Sequence, residues 1–124
     1  MNIPSKRAIA TEFLQMCARG DVRAAYERHV APDFTHHNAW YPGDRESLLL
    51  AMEQSAQMEP NKAFDIKQVI EGEDRVAVLS HLGRAEGQEY AVVHIARFAG
   101  DKIVELWDLG QEVPEDSPNA LGMF

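Results

Sequence analysis

Between Ser5 and Arg19 the apolar residues Ile9, Phe13, Met16 and Cys17 recur at spacings of three and four. That is the stripe of an amphipathic helix, and Gly20 stands where a left-handed residue would end it. Cys17 lies on the stripe and so reads as core. Asp21 is placed to cap a second, shorter helix through Tyr26 to about His29, closed off by Pro32, with His29 expected at the surface. The Pro42-Gly43 turn and Asp44 open a third helix, which runs through Leu48, Leu49, Met52 and Ala56 and stops before Pro60.

From Phe64 onward the period changes to two. Phe64, Ile66 and Ile70 mark one strand, closed by the Gly72-Glu73-Asp74 turn. Arg75 to Arg84, Glu89 to Phe98 and Lys102 to Gln111 form three more, joined at Glu86-Gly87 and Gly100-Asp101. Helices first and a meander of hairpins afterwards predict an α+β domain, with an antiparallel sheet covered on one face by the N-terminal helices. The segment from Phe34 to Trp40 reads as a short extended piece between the second and third helices. No repeat or linker divides the chain, so residues 1–124 are expected to form one domain. The tail from Glu112 ends on Leu121, Met123 and Phe124, and these apolar residues call for cover by a pocket mouth or a partner subunit.

Composition adds exclusions. The 124 residues are 45% hydrophobic and 26% charged, an ordinary globular balance. Twenty acidic residues against twelve scattered basic ones give a net charge of −8, which argues against nucleic acid or an anionic membrane as partner. The single Cys17 cannot close an internal disulfide, and no N-terminal apolar run resembles a signal peptide, so a cytoplasmic setting is expected.

The candidate chemistry lies in polar side chains that alternation places on apolar strand faces. His94 shares a face with Val92 and Ala96. A symmetric two-residue turn at Glu86-Gly87 would pair Ala85 with Gln88 and set His81 opposite Val92, bringing two imidazoles to one face. On the last strand a plain Gly100-Asp101 turn puts Trp107 opposite His94, whereas a one-residue bulge puts Asp108 there. The bulge is favoured: Asp108 then sits with Val104 and Leu106 among apolar groups, where desolvation would raise its pKa toward that of a working general base. A structural salt bridge from Asp108 to Arg97 or Arg84 is the plainer alternative. His36, His37, Asn38 and Trp40 could reach a pocket mouth, where an amide could hold an enolate oxygen; packing for Trp40 and Trp107, and solvent for His36, are the plainer roles. His81, His94 and Asp108 would resemble a two-histidine, one-carboxylate metal set only if all three converged, and no short ligand spacing supports it. In that register the face away from Asp108 carries Ile103, Trp107 and Leu109 beside Glu105, a patch whose cover by a second copy predicts a homodimer.

These residues resemble the SnoaL-like polyketide cyclase family, within the nuclear transport factor-like and ketosteroid isomerase-like superfamily. The similarity runs over nearly the whole chain: the long first helix, the His37-Asn38 pair, the stretch from Val92-Val93-His94 through Glu105-Leu106-Trp107-Asp108, and the close Pro118-Asn119-Ala120-Leu121-Gly122-Met123-Phe124. The resemblance implies a cone-shaped, strongly curved sheet wrapped by helices around an interior cavity, usually in a homodimer formed through the sheet. It implies acid/base chemistry next to a carbonyl, of aldol cyclase or isomerase type, with no metal or organic cofactor. Asp108 takes the acid/base position, helped by His94 and Asn38, and His37, Trp40, His81, Val92 and Leu106 are the expected substrate contacts. Leu106 and Val92 stand where relatives carry polar groups, which implies a more apolar pocket for a small apolar or carbonyl-containing molecule. A binding module of the same fold, without catalysis, is the alternative.

Overall fold

A computed structural model describes residues 4–124. Three helices, α1 (Lys6–Arg19), α2 (Val22–His29) and α3 (Arg45–Met58), alternate with and precede five strands: β1 (Val30–His37), β2 (Ala63–Glu71), β3 (Arg75–Gly83), β4 (Glu89–Ala99) and β5 (Lys102–Glu112). The helix ends follow the capping chemistry. Ser5 Oγ accepts the Ala8 amide and Asp44 Oδ2 accepts the Ser47 amide, while Gly20, at φ 104°, ends α1 in the left-handed region that a side chain would disfavour. Asp21 makes no such cap; its carboxylate pairs instead with Arg19.

The α+β class is as the sequence predicts, but the sheet is mixed. Strands β2 to β5 form the expected antiparallel meander, and β1 adds at the β5 edge in parallel, giving the order β1-β5-β4-β3-β2. The Phe34 to Trp40 segment is thus partly a strand, its Phe34 and His36 turned inward and Thr35 and His37 outward. Pro32 does not prevent this, because β1 lies at the sheet edge, where a missing amide donor is tolerated.

Phe13 of α1, Tyr26 of α2 and Phe34 of β1 meet edge to face, with centroids 5.5 and 6.0 Å apart, at the centre of a core that also takes Leu48 and Leu49 of α3 and Val76, Val78, Ala96, Phe98 and Ile103 of the sheet. His29 is not at the surface: it is 7% exposed, with Nε2 3.1 Å from Glu12 on α1. Burial lowers its pKa, and the Glu12 carboxylate acts in the opposite sense. No helix is long and apolar enough to cross a membrane among the described residues.

Two register details decide what faces the helices. The β3–β4 connection is a three-residue loop, Ala85-Glu86-Gly87, closed by Arg84 N–H to Gln88 O and ended by Gly87 at φ 84°. The expected two-residue turn would have paired Ala85 with Gln88; the extra residue moves every rung by one. His81 therefore pairs with Ala91 rather than Val92 and points outward. On β5 the turn itself is the plain one, Ala99 opposite Lys102, and the bulge comes later, at Val104, between the pairs Phe98–Ile103 and Arg97–Glu105. Beyond it His94 stands opposite Asp108. Before it Ile103 turns inward and is fully buried, so it does not belong to the outer patch with Trp107 and Leu109.

The tail covers neither a pocket mouth nor, in this single chain, a partner. Phe124 stacks on His81 at 4.7 Å, with the Lys67 ammonium 5.7 Å from its ring, against the outer face of β2 and β3.

Candidate active site

Between the helices and the inner face of the sheet lies a cavity of about 270 Å³, just below the usual range for small-molecule sites. Leu14 and Cys17 of α1, Leu48 and Met52 of α3, Phe64 of β2, Leu82 of β3 and Val92 of β4 make its apolar walls. Burial pushes the Cys17 thiol up to about 12, so it stays protonated and serves as wall rather than nucleophile. Gly110 faces Val92 across the β4–β5 rungs. A Cβ there would come within 3.2 Å of Val92 Cγ1, so the missing side chain leaves room for Val92, which lines the cavity.

Asp108, His94 and Asn38 meet at this cavity. Asp108 Oδ1 lies 3.2 Å from His94 Nε2, and Oδ2 accepts a 2.7 Å hydrogen bond from Asn38 Nδ2. Their side chains are sheltered, 14% exposed for His94 and 24% for Asp108. Desolvation acts to raise the pKa of Asp108, but the hydrogen bond and charge of His94, with the Asn38 amide, outweigh it and hold the carboxyl below the ordinary aspartate value. This corrects the expectation of a raised pKa: the apolar face was legible, whereas the two donors that stabilise the anion come from separate elements. Asp108 is ionised at neutral pH. Neither Arg97 nor Arg84 neutralises it, since Arg97 bonds Glu105 and Arg84 approaches Glu59.

Asn38 is held from both sides. Its Oδ1 accepts the Trp40 amide at 3.0 Å, which directs Nδ2 at Asp108, and its own N–H donates to His36 Nδ1 at 3.0 Å. His36 is 4% exposed, not solvated, and its Nε2 lies 2.7 Å from the Pro42 carbonyl. A carbonyl only accepts, so Nε2 carries the proton and Nδ1 is the lone pair facing Asn38: both contacts require the same neutral tautomer. His36 therefore fastens the turn that delivers Asn38.

The remaining candidates fall elsewhere. His37 alternates to the outer face, where it bonds Glu105 at 2.6 Å and stacks on Trp107 at 4.8 Å. Trp40 is 86% exposed on the loop, and His81, turned outward by the β3–β4 loop, bonds Glu89. Leu106 shares the Asp108 face but is packed into the core at 2% exposure and does not line the cavity. Of the five expected substrate contacts only Val92 lines it. Separated from His81, the pair His94 and Asp108 is not part of a three-ligand set, and the described residues contain no such group elsewhere. Tyr41 and Lys62, not singled out by the sequence, line the cavity, as does Arg84, expected there only as a salt-bridge partner of Asp108; all three lie in or beside turns, where alternation gives no direction.

A curved mixed sheet covered by three helices is the NTF2-like fold. The SnoaL-like domain model matches residues 10–106, and the chain belongs to that family. Asp108 lies two residues past the matched segment. Solved structures agree in fold. AclR, a proposed hydroxylase from Streptomyces galilaeus, is 23% identical with a TM-score of 0.72, over 86% of this chain and 78% of that one. A proposed polyketide cyclase from Acidithiobacillus ferrooxidans is 20% identical with a TM-score of 0.70, over 90% and 92%. An NTF2-like protein of Cytophaga hutchinsonii is 17% identical with a TM-score of 0.69, over 89% and 93%. No curated protein matches the chain.

Because His36 satisfies two groups of the turn at once, His36→Leu is expected to destabilise the protein by about 1–3 kcal/mol, the usual cost of orphaning buried polar groups. It should also speed hydrogen exchange of the Asn38 amide. Urea unfolding and amide exchange by NMR check both; an Asn38 amide that exchanges at the wild-type rate would contradict the fastening role.

Proposed function

We propose that this protein is an enzyme doing acid/base chemistry next to a carbonyl, of aldol cyclase or isomerase type, with Asp108 as the base. The observation that carries the reading is a carboxylate at the wall of an apolar cavity, held by the Asn38 amide and the His94 ring with no arginine or lysine paired to it. Asp108 takes a proton from a carbon adjacent to the carbonyl, and His94 holds the carboxylate in place. Asn38 Nδ2 has a second proton beyond the one given to Asp108, and this is the donor for the enolate oxygen. The low pKa of Asp108 bears on the substrate. Each unit by which a base is weakened costs about 1.4 kcal/mol of driving force, so the reading favours a carbon already acidified by two flanking carbonyls.

The same low pKa favours a second reading, a pocket that binds an apolar metabolite without transforming it. Deuterium exchange separates the two. The probe is acetylacetone with one methyl replaced by a five-methylene chain ending in a methyl ester, incubated in heavy water. Wild-type protein is expected to exchange the carbon between the carbonyls well above the buffer rate, and Asp108→Asn to lose that excess while keeping affinity for the probe within a few-fold. Exchange at the buffer rate with bound probe would favour the binding module, and equal exchange by Asp108→Asn would remove Asp108 as the base.

We further propose a homodimer through the outer sheet face. Trp107 and the 57% exposed Leu109 remain there without Ile103, and a twofold contact requires only one self-complementary patch. Light scattering at low micromolar concentration is expected to give twice the 13.9 kDa of one chain; a monomer mass would contradict it.

A further inference from the structure

The cavity has a second polar end. Its lining includes two cations, Lys62 at the entry to β2 and Arg84 just after β3. His94 pairs with Val78 on β3, and Arg84 follows six residues on, roughly 20 Å of strand at the usual rise, so the cations attach at the far end of the cavity from Asp108. In a chain of net charge −8 this is a local reversal of sign.

The cations are incompletely matched. Lys62 Nζ donates to the Ser55 and Glu59 carbonyls at the end of α3, at 3.4 and 3.1 Å, which leaves one of its three protons. Arg84 Nε lies 3.5 Å from Glu59 Oε1, and its terminal nitrogens have no protein partner among the described residues. Glu59 and Glu89 stand beside them in the adjoining surface pocket, Glu89 bonded to His81 and Glu59 with its other oxygen, Oε2, buried and without a partner; neither acid lines the cavity itself. Burial lowers the pKa of Lys62, Glu59 acts against that, and Arg84 lowers it further, so the ammonium gains from another anion. On the cavity side the two cations meet no carboxylate except Asp108 at the far end, so an anion that enters finds both of them.

We propose that the Lys62–Arg84 end of the cavity is an anion subsite for the carboxylate of an elongated, largely apolar keto acid. Its position opposite Asp108 would place the carbonyl end of such a molecule at the catalytic carboxylate; that orientation rests on the proposed function, whereas the anion subsite does not. Arg84 supplies the directional contact, since a guanidinium can hold both carboxylate oxygens, and Lys62 adds a point charge.

The test compares the β-diketone ester described above with the same molecule ending in a free carboxylate, by calorimetry. Wild-type protein is expected to bind the acid about tenfold to a hundredfold more tightly than the ester, as a charge-assisted hydrogen bond provides, with the advantage shrinking as salt is added. Arg84→Met should bring acid and ester to within a few-fold of each other, chiefly by weakening the acid. Lys62→Met serves as the second variant, and a thermal melt accompanies it because Lys62 also caps α3. Equal affinities in the wild type, no detectable binding of the acid at millimolar concentration, or an advantage that survives in both variants would overturn the subsite. Its failure is distinguishable from failure of the base: ester exchange in heavy water reads Asp108 alone, and acid-over-ester preference reads Lys62 and Arg84 alone.

Discussion

One extra residue on β5 sets the face that the last strand shows to the helices. Without the bulge at Val104 the pairing of Ile103 with Phe98 would continue unchanged, and Trp107 would stand opposite His94 with Asp108 turned outward. With it, both Ile103 and Asp108 face inward, one filling the floor of the core and the other reaching the cavity four rungs above. Burying Ile103 contributes about 1.5–3 kcal/mol relative to leaving it exposed, and that apolar gain fixes a register in which a carboxylate must also be buried. The polar site is supported by the packing below it.

The buried carboxylate then requires donors. Desolvation alone would drive Asp108 to the neutral acid, and the two groups that prevent this arrive by different routes. His94 is delivered by the β4 rung directly opposite. Asn38 comes from a turn beyond the edge strand β1, which pairs in parallel with β5 and so carries that turn to the same end of the sheet as Asp108. His36, buried just below, holds the turn through its neutral tautomer. The cavity is thus polar at two ends and apolar between: the Asp108 carboxylate, the proposed base, at one, and the Lys62 and Arg84 cations at the other. A long apolar molecule with a carbonyl at one end and a carboxylate at the other complements that pattern.

Where periodicity determines direction, the sequence was sufficient. The three helices, the four-strand meander and the inward face of His94 follow from spacings of three, four and two, and the Asp108–His94 rung follows from asking which register leaves a carboxylate with a partner. Turns carried the errors. Glu86-Gly87 is compatible with a two-residue or a three-residue loop, and choosing the shorter one misplaced His81. Ile103 was misplaced because a bulge in the turn and a bulge at Val104 give the same rung at His94 and opposite faces before it. Pro32 masks the edge strand β1, so periodicity gives its histidines no direction: both His36 and His37 can be placed at a pocket mouth, whereas the strand buries His36 beneath the turn and puts His37 on the outer face. Lys62 and Arg84 flank turns, and long side chains there are aimed by tertiary contacts that no local pattern encodes.

The state of the Asp108 carboxyl is the point on which the account rests, and carbon-13 NMR of selectively labelled aspartate, titrated from pH 7 to pH 2, reads it directly. The midpoint is expected below the ordinary aspartate value of about 3.9, because His94 and Asn38 favour the anion in the folded protein more than burial disfavours it. By linkage, the stability that Asp108 contributes is then present above that unfolded value and is lost as the pH falls through the folded one, so the stability gap between wild type and Asp108→Asn should close over the same range. A midpoint above about 5 would mean that desolvation prevails and the group is a buried acid, which would contradict an ionised base at the cavity wall.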